Sequence, residues 1–185
     1  MTDTKTPKSN RRHAVHQPFS WLADDARSYP LAEFVARLGG IYEHSPWVAE
    51  RAFAARPFAS LDALHAAMQR ALHGASPGEQ LALIRAHPEL LGKLEAARLT
   101  ASSRSEQASA GLERCTAAQK SRMQALNLAY REKFGFPFIV AVKGLDWAGI
   151  IERLEARPQR TREAELATAL QEIGRIARFR LEALA

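Results

Sequence analysis

Only one stretch of this chain reads as a β-strand, Phe136-Pro137-Phe138-Ile139-Val140-Ala141-Val142, and no other stretch offers it a partner. A strand without a partner leaves its backbone N–H and C=O groups unpaired, which argues against a sheet. The run is therefore expected to be a buried extended or helical segment. Elsewhere apolar residues recur at helical spacing, in a composition rich in Ala, Leu, Arg and Glu and poor in β-branched residues. The pattern predicts helices near 30–39, 46–55, 60–73, 77–86, 88–97, 103–115, 117–134, 146–156 and 162–184. The expected fold is all-α, a single-domain bundle of about eight or nine helices over residues 19–185. Residues 1–18 are polar, basic and without an apolar period, and read as a flexible tail.

Start and stop signals agree with these spans. Ser45-Pro46 offers a cap and a first-turn proline, Ser60 precedes Leu61-Asp62, and Ser76-Pro77-Gly78-Glu79 has the spacing of a capping box. Gly39-Gly40, Gly74 and Gly135 punctuate helix ends.

The net charge of +6 suggests nucleic acid until it is divided. Lys5, Lys8, Arg11 and Arg12 against Asp3 place half of it in the tail, and no basic run is interleaved with aromatics. Neither nucleic-acid nor membrane binding is expected. No apolar run reaches the roughly 20 residues of a spanning helix, and no signal-peptide pattern is present. The single cysteine, Cys115, allows no internal disulfide and no multi-thiolate metal site. There is no His-Glu-x-x-His, no phosphate loop and no nucleophile elbow, so neither metal nor cofactor is expected. The chain reads as soluble and cytoplasmic.

Three residues carry most of the chemical interest. His87, in Ala86-His87-Pro88-Glu89, precedes a proline and so should end one helix at a corner, with Pro88 opening the next. Glu106 lies in Ser103-Arg104-Ser105-Glu106-Gln107, where Ser-x-x-Glu has capping-box spacing. Ser103 and Glu106 can therefore simply cap one another, or the same helix N-terminus can present N–H groups to an anion. Arg180 falls inside the apolar face formed by Leu166, Leu170, Ile173, Ala177, Leu181 and Leu184. It either snorkels out at the helix end or is buried against a carboxylate, from Glu106 or from a ligand. Asn127, on the stripe of Met123, Leu126, Tyr130 and Phe134, is expected to serve a neighbouring backbone. His65 reads as a packed core or rim histidine.

Longer blocks carry a resemblance. Gly40-Ile41-Tyr42-Glu43-His44-Ser45-Pro46-Trp47-Val48-Ala49-Glu50, Ala86 to Leu90, Leu99 to Gln107 followed by Ala110-Gly111-Leu112, Leu126-Asn127 with Tyr130, Lys133 to Ile139, and Ile176 to Leu181 occur in this order. Together they resemble the 2-oxo-4-hydroxy-4-carboxy-5-ureidoimidazoline (OHCU) decarboxylases of urate breakdown. The resemblance implies an all-helical, cofactor-free and commonly dimeric enzyme that forms carbon dioxide and (S)-allantoin. It implies His87 as proton donor and Glu106 and Arg180 as further catalytic residues. Substrate binding is implied for Pro88, for Ser103, Arg104, Ser105, Glu106 and Gln107, and for Phe138, Ile139, Val140, Ala141 and Val142. Three other readings stay open: a helical ligand-binding or regulatory module without turnover, nucleic-acid binding through the basic tail of residues 1–18, and a decarboxylase of a related small carboxylated ring.

Overall fold

Local capping decides where most of the helices begin. Ser60 accepts the Ala63 N–H, Ser76 and Glu79 form a reciprocal capping box, and Thr116 with Gln119 forms another. The computed structural model describes residues 30–91 and 100–184. Within them lie α1 (Leu31–Leu38), α2 (Trp47–Ala52), α3 (Leu61–His73), α4 (Pro77–Ala86), α5 (Ala101–Ser109), α6 (Ala117–Phe134), α7 (Trp147–Ala156) and α8 (Arg162–Ala183). Short 3₁₀ turns follow α2, α5 and α7. The fold is all-α, as the periodicity requires, and the described residues contain no strand.

The core is assembled from one stripe per helix. Leu64, Ala67, Met68 and Leu72 on α3 meet Ala169, Leu170, Ile173, Ala177 and Leu181 on α8, the long helix against which α4 also packs. At the α3–α8 contact a Cβ on Gly174 would lie 2.0 Å from the Gln69 amide nitrogen and would push that side chain aside. The Gly174 carbonyl bonds His65 Nε2 at 3.0 Å, so His65 is a rim histidine tied to the neighbouring helix. Met123, Asn127, Tyr130 and Phe134 form the buried stripe of α6. Asn127 donates to the Leu90 carbonyl at 2.8 Å, the backbone service expected of it.

The strand-like run from Phe136 to Val142 is buried and is neither helix nor strand. Side chains take over part of what a sheet would have supplied. Arg157 donates to the Ile139 carbonyl at 2.6 Å, and Glu172 accepts the Ala141 N–H at 2.9 Å.

Three expectations are corrected. Residues 88–91 are not helical, and Leu91 takes φ +55°, held by Gln107 on its N–H and Gln124 on its carbonyl. The rest of the predicted 88–97 helix, like the 1–18 tail, lies outside the described residues. The helix expected from Ser103 starts two residues earlier, because Thr100 caps it by accepting the Ser103 N–H at 3.2 Å. Ser103 and Glu106 therefore do not form a capping box. That helix also ends at Ser109, and Gly111 at φ +71° turns the chain into the Leu112–Arg114 3₁₀ turn. Finally, Leu184 is exposed rather than part of the α8 apolar face.

Candidate active site

A cavity of about 660 Å³ opens between the α4 corner, the first turns of α5, the strand-like run and the last turns of α8. This is within the usual range for a small-molecule site. Its apolar wall is Phe138, Ile139, Val140, Ala141 and Val142, with Ile176 and Phe179 of α8. Its polar groups include His87, Ser103, Ser105, Glu106, Gln107 and Arg180, and Pro88 lies beside His87.

Arg180 occupies the centre of the polar side. Its position in the apolar face of α8 buries it to 6% exposure, so snorkelling is excluded. It donates from Nε and Nη2 to the two oxygens of Glu106, at 2.7 and 3.0 Å, a forked arrangement. Nη2 also donates to Glu43 Oε2 at 3.0 Å and Ser103 Oγ at 3.1 Å, and Nη1 to the Ile41 carbonyl at 3.3 Å. Burial works against the guanidinium charge, but Glu106 and Glu43 more than offset it and raise the Arg180 pKa.

His87 caps the C-terminus of α4 in extended backbone, as a residue before proline should. Its Nδ1 lies 3.2 Å from the Leu83 carbonyl. A carbonyl can only accept, so Nδ1 carries the proton and neutral His87 has its lone pair on Nε2. That Nε2 is buried and has no hydrogen-bond partner among the described residues. Burial lowers the His87 pKa to about 4, against the opposing pull of the Leu83 carbonyl and of the Glu43 charge. At neutral pH the imidazole is therefore uncharged, with the Nε2 lone pair left open beside the cavity.

Of the residues expected at the site, Arg104 is the one the fold does not bring in. It is exposed and does not line the cavity. On a helical wheel it lies about 160° from Glu106.

Comparisons with known proteins place the described fold in one family. Residues 27–182 match the family model for OHCU decarboxylase. The chain belongs to the OHCU decarboxylase family. It is 48% identical over 148 residues to 2-oxo-4-hydroxy-4-carboxy-5-ureidoimidazoline decarboxylase of Haloferax volcanii, covering 80% of this chain and 86% of that one. The protein of the same name from Halalkalicoccus jeotgali is 45% identical over 161 residues, covering 87% and 90%. Among solved structures, (S)-allantoin synthase superposes with a TM-score of 0.67 at 34% identity, over 85% of this chain and 51% of that one.

Within this family member, sequence reasoning missed Glu43 as a site residue. It is fully buried in the turn between α1 and α2, where no period exposes its environment. One signal pointed to it. A buried Arg180 required a carboxylate, and Glu43 stands beside the apolar pair Ile41-Tyr42. Arg37 and Lys143 were also missed, and both line the cavity.

Proposed function

We propose that this chain decarboxylates 2-oxo-4-hydroxy-4-carboxy-5-ureidoimidazoline, giving carbon dioxide and (S)-allantoin. The family match over most of the chain carries the reaction. The observation that carries the site is a forked pair of buried Arg180 and half-buried Glu106 on the same cavity as the partnerless Nε2 of His87.

The substrate bears a carboxylate and a hydroxyl on C4, beside an imine carbon, C5, that carries the ureido group. Breaking the C4–carboxylate bond releases carbon dioxide, and its electron pair forms C4=C5. The imine electrons move to the ring nitrogen, which takes a proton. The enol so formed becomes allantoin when the C4 hydroxyl loses its proton and C5 gains one. One substrate anion and one proton thus give carbon dioxide and neutral product. The substrate's own imine receives the electron pair, so the reaction calls for no external electron sink.

His87 acts first as base and then as donor. Neutral at Nε2, it takes the C4 hydroxyl proton, and the resulting imidazolium returns it to one face of C5. Its low pKa makes that imidazolium a strong acid and the return fast. Arg180 faces the oxygen and nitrogen on which negative charge develops, where a fixed donor contributes most. Gripping the departing carboxylate equally in ground and transition states would contribute little. Glu106 accepts from the ureido N–H groups. Ser103, Ser105, Gln107 and Pro88 complete the polar side, and residues 138–142 form the wall that keeps the ring flat and dry.

The test supplies freshly generated urate-oxidation intermediate and follows circular dichroism as allantoin forms. Faster formation of a single enantiomer is expected, since uncatalysed decay gives a racemate. No gain in rate or handedness over buffer would reject the reading. The enzyme is further proposed to be a cytoplasmic, cofactor-free homodimer. Among the described residues no helix is long and apolar enough to cross a membrane. Light scattering tests the dimer, and full activity after exhaustive chelation tests independence from metal.

A further inference from the structure

Glu43 has no part in the reaction described so far, and it does not line the cavity. A fully buried carboxylate is costly unless it is well paired, and this one is. It accepts from Ser103 Oγ at 2.5 Å, from the Thr100 N–H at 3.4 Å and from Arg180 Nη2 at 3.0 Å. Arg180 thus has two carboxylate partners in different positions. Glu106 lines the cavity and its side chain keeps 29% exposure, whereas Glu43 keeps none.

The difference matters once a substrate competes for the guanidinium. A fork held by Glu106 alone would lose its aim whenever Glu106 turned toward ligand N–H groups. We propose that Glu43 is the positioning residue of this site, holding Arg180 from behind so that Glu106 can exchange partners with the substrate. The Ile41 carbonyl on Nη1 assists it. Glu43 also joins α5 to the α1–α2 turn through Ser103 and the Thr100 N–H, so the helix N-terminus and the arginine keep one fixed spacing. Burial alone would raise its carboxyl pKa, but Ser103, Thr100 and Arg180 reverse this and hold it ionised. Its charge has a second effect, favouring the imidazolium of His87, which Arg180 and His44 oppose.

The inference rests on the decarboxylase reading, and its tests separate the two. Glu43→Gln preserves shape and removes the charge. In the variant, kcat should fall about tenfold or more with KM within about threefold, because ground-state contacts survive while the aim of Arg180 does not. The acid limb of its kcat/KM profile should also move to lower pH, since one support of the His87 imidazolium is gone. A residue that only stabilised the fold would move neither the limb nor the kcat-to-KM split. A folded variant with wild-type kcat and limb would overturn the proposal.

A second readout needs neither turnover nor a Glu43 variant. In Glu106→Gln, nitrogen-15 NMR should still resolve the Arg180 Nη signals, because Glu43 hinders rotation of the guanidinium. Averaged Nη signals in Glu106→Gln would overturn the proposal even if Glu43→Gln did not fold. If the wild-type enzyme failed to turn over OHCU, the functional reading would fall, and this measurement would still judge Glu43.

Discussion

Among the described residues, two arginines are buried against buried carboxylates, and only one of them borders the cavity. Arg157, in the 3₁₀ turn after α7, spends every nitrogen on the protein. Nε bonds Glu165 at 2.7 Å, Nη1 the Ile139 carbonyl at 2.6 Å and Nη2 the Tyr130 hydroxyl at 3.3 Å. Its guanidinium lies over Phe138, 4.5 Å from the ring centroid. Glu165 is fully buried, accepts a hydrogen bond from the Tyr130 hydroxyl and also pairs with Arg160 at 3.1 Å. Burial and the Glu165 carboxylate push the Tyr130 pKa up, so the phenol stays protonated.

The Arg180 cluster is built from the same parts but keeps one side accessible. Glu106 reaches the cavity, and the Nε2 of His87 has no described partner. A buried ion pair is therefore not the mark of a site, since burial costs can equal the gain from pairing. The mark is a pair with one exchangeable partner beside an unsatisfied, titratable atom. The closed cluster serves the open one. By holding the Ile139 carbonyl, Arg157 fixes the strand-like run that forms the apolar wall of the cavity.

The contrast can be broken experimentally, and the largest effect is expected at His87. His87→Gln should lower kcat by about 10²–10⁴, with little change in denaturation midpoint, because a neutral ring is exchanged for a neutral amide. Near-wild-type turnover would remove His87 from the proton path. Arg157→Met should instead act on stability, costing about 3–5 kcal/mol in urea denaturation by leaving Glu165 without its main partner. Adding Glu165→Gln should recover part of that loss, which a double-mutant cycle would detect. If Arg157→Met lost only activity, the two clusters would not differ in the way described.

Arg180→Lys keeps a charge but loses the fork, and a loss of about 10²–10³ in kcat is expected from steady-state kinetics. The pH response is the next smaller effect. The His87 pKa of about 4 in the fold lies below the ordinary 6.5, so between these values the unfolded chain binds more protons. The contribution to stability is complete above pH 6.5 and is lost as pH falls toward 4. Denaturation curves of His87→Gln should lack that component, and wild-type kcat/KM should stay level below pH 6 before falling near 4. The smallest effect is expected at Lys143, an exposed cation on the cavity lining that lies 3.7 Å from Glu182. Lys143→Gln should lower kcat/KM for the anionic substrate about twofold at low salt, and the difference should fade as salt rises.

Legibility from sequence divided along the same physical line. The spans of α3, α6 and α8 were readable because period and caps are properties of neighbouring residues. Arg180 was readable as an anomaly, a charge in an apolar face, and His87 as a histidine fixed before a proline. Glu43 was hidden because its partners lie on α5 and α8, 57 and more residues away. The start of α5 was misplaced because Ser103 and Thr100 are both capable caps. Thr100 takes the role while the Ser103 hydroxyl goes to Glu43. Residues 88–91 gave a helical start signal, but the side chains of Gln107, Gln124 and Asn127 bind their backbone in another conformation.

By itself, then, the sequence determined an all-helical chain, a solitary strand-like run without a sheet, and an arginine that, if buried, had to find a carboxylate. The tertiary structure decided which carboxylates it found, and that one faces the cavity while the other lies behind it. It also decided that Arg157 and Glu172 would satisfy the backbone of the strand-like run. The reason is that helix propensity and capping act over a few residues. The burial and pairing of a charge depend on which distant elements close around it.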